Sequence, residues 1–241
     1  MEKLLDEIES YWSTRTEGYS EVNHKELAGT QKNAWLKVLT SQFPDKPKEE
    51  IRILDIGTGP GFFPVILAEA GYHVDAVDYT EGMLEKAKEN AGDLCRNIRF
   101  LRMDAQKLDF EDNTFDVVIS RNLTWNLEHP DVAYREWVRV LKVGGKLLNF
   151  DANWYGYLYE EEQRKAYEND RKNVENNSLD DHYLCTDIER MERIALQVPL
   201  SKIRRPEWDV KTLREAGLLG IHTDTEIWKT VWSEEERLNY Q

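Results

Sequence analysis

The chain has 241 residues, enough for one elaborated domain with a sizeable core, and its 46 acidic against 32 basic residues give a net charge of −14 at pH 7. Such a surface repels phosphate backbones, and the largest basic run is Lys202–Arg205, so we expect no nucleic-acid partner. No window approaches about 18 apolar residues, and Met1–Ser10 lacks the basic start and apolar run of a signal peptide, so we expect a cytoplasmic protein without a membrane partner.

The first fifty residues carry helical patterns and no strand pattern. Apolar residues recur at helical spacing in 4–12 and again in 27–39, and a polar, aromatic stretch separates them at 13–24. Residues 43–50 contain two prolines and several charges, which is typical of a linker. We predict that residues 1–50 either pack on the rest of the molecule or cover a site as a helical lid.

Strand and helix patterns alternate from residue 51 onward. Buried strands are predicted at 51–56, 73–77, 98–103, 115–120 and 146–150, the last after a Gly144-Gly145 turn, and helices at 62–70, 80–91 and 132–141. Such alternation predicts right-handed crossovers and an α/β fold with a doubly wound, mostly parallel sheet that helices cover on both faces. Ligands bind at the carboxyl ends of the strands in such sheets.

A charged segment interrupts this alternation. Residues 159–174 predict a polar helix, and a second helix follows with a capping box formed by Thr186 and Glu189. Its apolar positions suit packing on the rest of the molecule; they are Ile188, Met191, Ile194, Ala195 and Val198. We predict an inserted helical cap over residues 158–205.

The last part of the chain returns to the earlier pattern. Residues 208–216 predict a helix with Asp209 as its N-cap and Gly217 as its stop, and residues 218–227 alternate as a strand. Residues 51–157 and 206–241 would then form one sheet domain around the inserted cap.

A glycine-rich turn follows the first strand. Gly57, Gly59 and Gly61 stand at alternate positions before a helix, where they let the main chain approach a ligand and adopt positive φ. A pyrophosphate is disfavoured because the spacing is G-x-G-x-G and Pro60 has no N–H to donate. The turn therefore indicates a ligand that is neutral or cationic.

Two carboxylates end the next two strands. Asp78 can accept hydrogen bonds from both hydroxyls of a ribose, as acids do in nucleotide-binding sheets. Asp104 can accept a hydrogen bond from an adenine amino group while Met103 or Leu101 packs on the ring. Either acid alone is as easily a turn residue, but together with the glycine turn they indicate an adenosine site.

Four segments carry a wider pattern: ILDIGTGPGFFPVILAEAG, VDAVDYTEGMLEKAKENA, RFLRMDAQKLDFEDNTFDVVISRN and REWVRVLKVGGKLL. A weaker match, EWDVKTLREAGL, follows the predicted cap. Over about half of its length the chain thereby resembles the class I S-adenosylmethionine-dependent methyltransferases, especially the small-molecule group of ubiquinone and menaquinone enzymes. The resemblance implies a Rossmann-like sheet, S-adenosylmethionine as cofactor, and methyl transfer to an N, O, S or C atom of a small molecule by in-line displacement.

The resemblance also implies which residues hold the cofactor. The glycine turn would surround its methionine part, the acid after the second strand its ribose, and the acid after the third strand its adenine. The segment after the fourth strand would pass beneath the sulfonium. The implied cofactor-binding residues are Gly57, Thr58, Gly59, Gly61, Asp78, Tyr79, Met83, Asp104, Ala105 and Arg121.

The acceptor pocket is expected among aromatic segments around the methyl group. Its predicted residues are Trp12, Tyr19, Trp125, Asn126, Asn153 and Trp154. Aromatic side chains suit a planar or cationic small molecule, although the same residues can simply pack a lid onto the sheet. The reaction does not strictly require a general base, for which His24, His129 and Asp151 are the candidates.

The chain departs from some class I methyltransferases after the fourth strand. The sequence there is Ser-Arg-Asn-Leu-Thr-Trp, not the Asn/Asp-Pro-Pro-Tyr/Phe of adenine-methylating families, which disfavours methylation of nucleic-acid bases. Arg121 replaces an acid that metal-dependent catechol enzymes need, and Cys95 and Cys185 have no partners at metal spacing. We therefore expect no metal.

Three other functions remain open from the sequence. A protein that binds S-adenosylmethionine without turnover, as a sensor or regulatory subunit, would explain the missing obvious base. A nicotinamide-dependent oxidoreductase would need pyrophosphate binding. An aminopropyl transferase would need an acid where Arg121 stands.

Overall fold

The structure, a computed structural model, describes residues 4–177 and 186–239. Cys185 and residues 178–184 of the predicted cap lie outside these ranges. Within the described ranges, no helix combines the length and the apolar character needed to cross a bilayer.

A parallel β-sheet forms the centre of the molecule. Its strands are β1 (Arg52–Ile56), β2 (His73–Asp78), β3 (Ile98–Arg102), β4 (Phe115–Arg121) and β5 (Leu141–Phe150). Among the described residues the sheet has five strands in the order β3-β2-β1-β4-β5, and all pairings are parallel. The predicted doubly wound sheet is confirmed. Its topological switch point lies between the carboxyl ends of β1 and β4, where such sheets bind ligands.

Helices precede, separate and follow the strands. They are α1 (Leu4–Ala28), α2 (Gln31–Thr40), α3 (Phe62–Glu69), α4 (Glu81–Ala91), α5 (Pro130–Val140), α6 (Glu161–Asn177), α7 (Ile188–Ala195), α8 (Glu207–Glu215), α9 (Trp228–Val231) and α10 (Glu234–Asn239). The two predicted N-terminal helices are present, and residues 13–24 belong to one continuous α1.

The core lies on both faces of the sheet. Side chains alternate along β1, so that Leu54 packs with Trp137 of α5 on one face and Ile53 packs with Phe63 of α3 on the other. All four of these side chains are buried. Burial on both faces explains why the strands read as nearly continuous apolar runs.

The fifth strand is longer than the sequence predicts. β5 begins at Leu141 and runs through Gly144 and Gly145, which were expected to form a turn before it. A Cβ added at Gly145 would lie 3.0 Å from the carbonyl oxygen of Asp116 on β4, so the two backbones approach closely. The pairing of β4 with β5 is irregular at this point, and glycine permits it.

The end of the chain differs from two predictions. Asp209 lies inside α8 and is not its N-cap, because Pro206 occupies the N-cap position. The carboxylate of Asp209 instead accepts hydrogen bonds from other side chains. The predicted stop is confirmed, because Gly217 has φ 102° and donates its N–H to the carbonyl of Arg214. The strand predicted at 218–227 is wrong, since the structure has no strand there.

The helix after the gap packs as predicted but is capped by a different residue. Asp187, not Thr186, is the N-cap of α7, and its carboxylate accepts the backbone N–H of Arg190 at 2.9 Å. The apolar face of α7 is buried against α1, with Met191 and Ile194 in one cluster with Tyr11.

Candidate active site

The glycine turn requires glycine for two separate reasons. Gly57, Gly59 and Gly61 have φ values of 70°, 52° and 91°, in the left-handed region. The space is also restricted, because a Cβ at Gly57 would lie 2.7 Å from Cδ2 of Leu123, and one at Gly61 would lie 3.0 Å from Cβ of Ala87. Packing of the turn against Leu123 and Ala87 therefore requires glycine at two of these positions, and the predicted approach to a ligand stays a prediction.

Asp78 holds the glycine turn in place. Its Oδ2 accepts the N–H of Gly59 at 2.9 Å, and its Oδ1 accepts the N–H of Thr80 at 2.9 Å. Burial raises the pKa of Asp78, and the two backbone N–H groups act in the opposite direction. Each carboxylate oxygen keeps lone-pair capacity for a further donor such as a hydroxyl.

The second predicted acid lies on the same edge. Asp104 follows β3, which pairs with β2 through Arg102 and Asp78, so the two acids end neighbouring strands. Its Oδ1 accepts the backbone N–H and the side-chain amide of Gln106, at 2.9 and 3.1 Å. Ala105 is buried beside it, and its carbonyl accepts Nε1 of Trp137 at 2.9 Å.

Two more predicted cofactor residues, Tyr79 and Met83, lie between these acids in the sequence. Met83 is buried on α4, and Tyr79 follows β2. The guanidinium of Arg102 lies 5.2 Å from the centre of the Tyr79 ring, and its Nε donates to the Tyr79 carbonyl at 2.9 Å. The ring of Tyr79 is thus held near the end of β3.

Arg121 forms a paired and stacked cation at the end of β4. Its two Nη atoms donate to the two carboxylate oxygens of Glu26 on α1, both at 2.8 Å. The guanidinium also lies over the rings of Phe62 and Phe63, at 4.6 and 5.2 Å from their centres. Burial acts to lower the pKa of Arg121, but the Glu26 carboxylate raises it above its ordinary value.

The sequence prediction missed a buried acid on β1 that the charge of Arg121 influences. Asp55 is the fourth residue of β1 and is only 2% exposed. Burial raises its pKa to about 7, although the hydroxyl of Thr58 and the charge of Arg121 act to lower it. An acid inside an otherwise apolar strand was the signal that could have revealed it.

Helix α1 covers this edge of the sheet. Glu9 pairs with Arg102 at the end of β3, with Oε1 and Nη2 2.6 Å apart, and Glu26 pairs with Arg121 at the end of β4. Between them, the ring of Tyr19 would lie 3.5 Å from a Cβ added at Gly59. Helix α1 therefore packs against this edge and passes over the glycine turn.

The predicted acceptor residues meet under α1. The ring centre of Trp12 lies 5.6 Å from that of Tyr19 and 6.4 Å from that of Trp125, both edge-on. Trp125 stacks on Tyr155 with ring centres 5.1 Å apart, and Trp154 packs in the same cluster. We call these five side chains the aromatic cluster.

Three buried polar atoms near this cluster have no hydrogen-bond partner among the described residues. They are Oδ1 of Asn126, Oδ1 of Asn153 and Nε1 of Trp154. Buried polar groups normally have partners, so these atoms are available to a polar ligand.

The three candidate bases have different surroundings. His24 and His129 are exposed, and the His129 side chain retains 62% of its accessible surface. The Asp151 side chain is 1% exposed; its Oδ2 lies 3.0 Å from Nη1 of Arg205 and accepts the N–H of Trp125 at 3.0 Å. The structure thus joins Asp151, and neither histidine, to the aromatic cluster.

Comparison with known proteins identifies the central part of the chain. Residues 54–149 match the family model described as a methyltransferase domain. The resemblance to class I methyltransferases is confirmed. Demethylmenaquinone methyltransferase from Clavibacter sepedonicus is 40% identical over 98 residues, which cover 40% of this chain and 39% of that protein. The same-named enzyme of Renibacterium salmoninarum is 32% identical over 148 residues, or 61% of this chain and 60% of that protein.

A likeness in fold extends over more of the chain than the sequence matches do. A Methanococcus maripaludis structure, proposed to be an S-adenosyl-L-methionine-dependent methyltransferase, superposes with TM-score 0.54 over 76% of this chain and 82% of its own length. Its sequence identity is 23%, so this likeness establishes the fold alone. This chain spans 39% to 60% of the length of the two curated relatives above.

Proposed function

We propose that this chain binds S-adenosylmethionine at the carboxyl edge of its sheet and transfers the methyl group to a small molecule. The observation that carries the proposal is the position of Asp78 and Asp104 at the ends of neighbouring strands, beside a glycine turn at the switch point. The methyltransferase names of the curated relatives support the same reaction.

The residues present fit this cofactor better than a dinucleotide. Asp78 and Asp104 offer acceptor oxygens for ribose hydroxyls and an adenine amino group. Pro60 provides no N–H within the turn, so a pyrophosphate would find fewer donors there.

The protein would act mainly by positioning. When bound, the cofactor supplies an electrophilic methyl group on a sulfonium. The glycine turn and the two acids would orient the nucleoside. Helix α1, which covers the turn, would exclude water from the site. The aromatic cluster would hold the acceptor. Positioning of two reactants alone can contribute about 7–11 kcal/mol to lowering a barrier, so no proton-transferring side chain is essential.

We propose a planar small molecule as acceptor. The two curated relatives are named for demethylmenaquinone, a quinone with a planar ring, and planar rings stack on aromatic side chains. Trp12, Tyr19 and Trp154 lie outside the stretch that matches the family model, so the acceptor needs its own test. The cytoplasmic location, the absence of membrane and nucleic-acid partners, and the domain boundaries remain predictions from the sequence.

Two measurements test the function. Calorimetry with S-adenosylhomocysteine and with NAD should show that only the former binds; tighter NAD binding would favour the oxidoreductase. Incubation with methyl-labelled cofactor and metabolite extracts should then give a product heavier by one methylene unit. Binding without any labelled product would favour the non-catalytic alternative.

A further inference from the structure

A buried guanidinium joins two carboxylates from different parts of the chain. The side chain of Arg205 is 8% exposed and contacts Asp209 through Nε and Nη2, at 2.9 and 2.7 Å. Its Nη1 lies 3.0 Å from Oδ2 of Asp151, whose side chain is 1% exposed. One cation therefore offsets two carboxylates at a site with little water.

The same guanidinium reaches the turn after β4. Nη2 of Arg205 donates to the hydroxyl of Thr124 at 2.7 Å, and that hydroxyl donates to Asp151. Asp151 also accepts the backbone N–H groups of Trp125 and Ala152, at 3.0 and 2.8 Å. The network thus fixes the turn after β4 to the segment after β5.

Tyr134 connects helix α5 and strand β5 to this network. Tyr134 of α5 is fully buried and donates its hydroxyl to Asp209, while Nδ2 of Asn149 on β5 donates to the Tyr134 oxygen at 2.9 Å. Burial raises the pKa of Tyr134, with the nearby Asp209 acting in the same direction, so this hydroxyl stays a donor.

The two segments that Arg205 connects carry the walls of the aromatic cluster. Trp125 follows Thr124 directly, and its indole Nε1 donates to the carbonyl of Asn122 at 3.0 Å. Tyr155, on which Trp125 stacks, follows Asp151 by four residues. The stacking geometry therefore depends on the distance that the network sets between the two segments.

We propose that Arg205 and Asp151 are positioning residues for the methyl acceptor, which they serve by holding Trp125 against Tyr155. The inference rests on the proposed function. Asp151 does not act as a base, because Arg205, Thr124, Trp125 and Ala152 already occupy its carboxylate. The hydrogen bonds and ion pairs of these two residues do not involve residues 57–61, so we expect cofactor binding to change less than acceptor binding.

The first test separates positioning from base catalysis. Asp151→Asn removes the charge that pairs with Arg205 and replaces one acceptor oxygen by an NH2 group, so the segments that carry Trp125 and Tyr155 are held less firmly. With the acceptor identified by the methyl-labelled cofactor, the KM should rise about tenfold while kcat at saturating acceptor stays within about threefold of wild type. A loss of about a hundredfold or more in kcat with unchanged KM is the result expected of a general base, and it would overturn the proposal.

The second test targets the cation of the network. Arg205→Met removes the cation that joins Asp151, Asp209 and Thr124, while Asp151 keeps the backbone N–H groups of Trp125 and Ala152. The two segments are then held less firmly, so the acceptor KM should rise about tenfold while kcat stays within about threefold of wild type. An unchanged acceptor KM would contradict this.

A readout that needs no acceptor controls for folding and for the function itself. In Arg205→Met, hydrogen exchange should become faster in residues 122–127 and 151–157 than in residues 57–61, while the affinity for S-adenosylhomocysteine stays within about threefold of wild type. Arg204→Met is the matched control, because Arg204 is 76% exposed and pairs with Glu160 outside the network. Unchanged exchange at 122–127 overturns the inference, whereas a wild-type chain that does not bind S-adenosylhomocysteine overturns the proposed function.

Discussion

Asp78 joins the glycine turn to the proposed ribose site, so its removal should affect the cofactor directly. Asp78→Ala removes charge-assisted hydrogen bonds worth about 1.5–3 kcal/mol, and the Kd for S-adenosylhomocysteine should rise about tenfold to a hundredfold. The matched control is Asp75→Ala on the same strand, whose carboxylate pairs with Arg99 away from the site. An unchanged Kd for Asp78→Ala in calorimetry would remove this residue from the site.

Asp55 makes the stability of the protein depend on pH. Its folded-state pKa of about 7 lies above the ordinary value of 3.8, so the folded chain holds a proton that the unfolded chain releases between these pH values. The free energy of unfolding therefore loses a contribution as the pH rises through this window. Asp55→Asn removes the titration, and its stability relative to wild type should increase by roughly 2–3 kcal/mol from pH 5 to pH 8. If urea unfolding gives a free-energy difference between Asp55→Asn and wild type that is the same at pH 5 and pH 8, this expectation is contradicted.

Gly57 combines backbone strain with restricted space. In Gly57→Ala the new Cβ lies 2.7 Å from Leu123 at φ 70°, whereas in Gly71→Ala it meets nothing within 4 Å at φ 92°. Both substitutions strain the backbone by about 1–2 kcal/mol, and Gly57→Ala should cost about 1–3 kcal/mol more through the contact. Leu123→Ala in the Gly57→Ala background should recover part of this loss, and purely additive unfolding free energies would show that the contact is unimportant.

At the scale of elements, ion pairs of very different burial attach α1 to strand β4 and to helix α4. Glu26 and Arg121 retain 10% and 15% of their side-chain surface, whereas Glu17, which pairs with Lys86, retains 78%. Glu26→Ala leaves a buried cation unpaired and should lower the free energy of unfolding by about 3–5 kcal/mol. Glu17→Ala should cost less than about 1 kcal/mol. Similar losses in the two variants, measured by urea unfolding, would mean that the Glu26 pair does not anchor α1.

The wrong strand prediction at 218–227 shows what an alternating pattern lacks. A strand needs a neighbouring backbone for its N–H and C=O groups, and the alternation of apolar residues does not supply one. Leu218 and Ile221 still pack against the core, but Leu219 is 88% exposed and Gly220 has φ 64°. The alternating pattern therefore indicated that the segment is partly buried, but it did not indicate whether the segment pairs with another strand.

At the scale of the whole molecule, binding at the switch point should stabilise the fold. S-adenosylhomocysteine at about 100 times its Kd should add about 2.7 kcal/mol to the free energy of unfolding. For a chain of this size, that corresponds to a rise in Tm of about 5–10 °C. NAD at the same concentration should produce no rise, and an equal rise with NAD would indicate a different site.

The sequence by itself determined the order of strands and helices between residues 51 and 150, the glycine turn and the acids at two strand ends. These features depend on local periodicity and on the rule that ligands bind at the carboxyl ends of parallel strands. The cap residue of α7 and the start of β5 escaped prediction because they depend on close local geometry.

Only the tertiary structure decided how the site is closed and held. Glu26 and Arg121 are 95 positions apart, and Thr124 and Arg205 are 81 apart, so no local pattern could pair them. The burial of Asp55, the path of α1 over the glycine turn and the support of Trp125 by Asp151 follow from such long-range contacts. The sequence specified which chemical groups are present, and the packing of distant segments decided which of them meet.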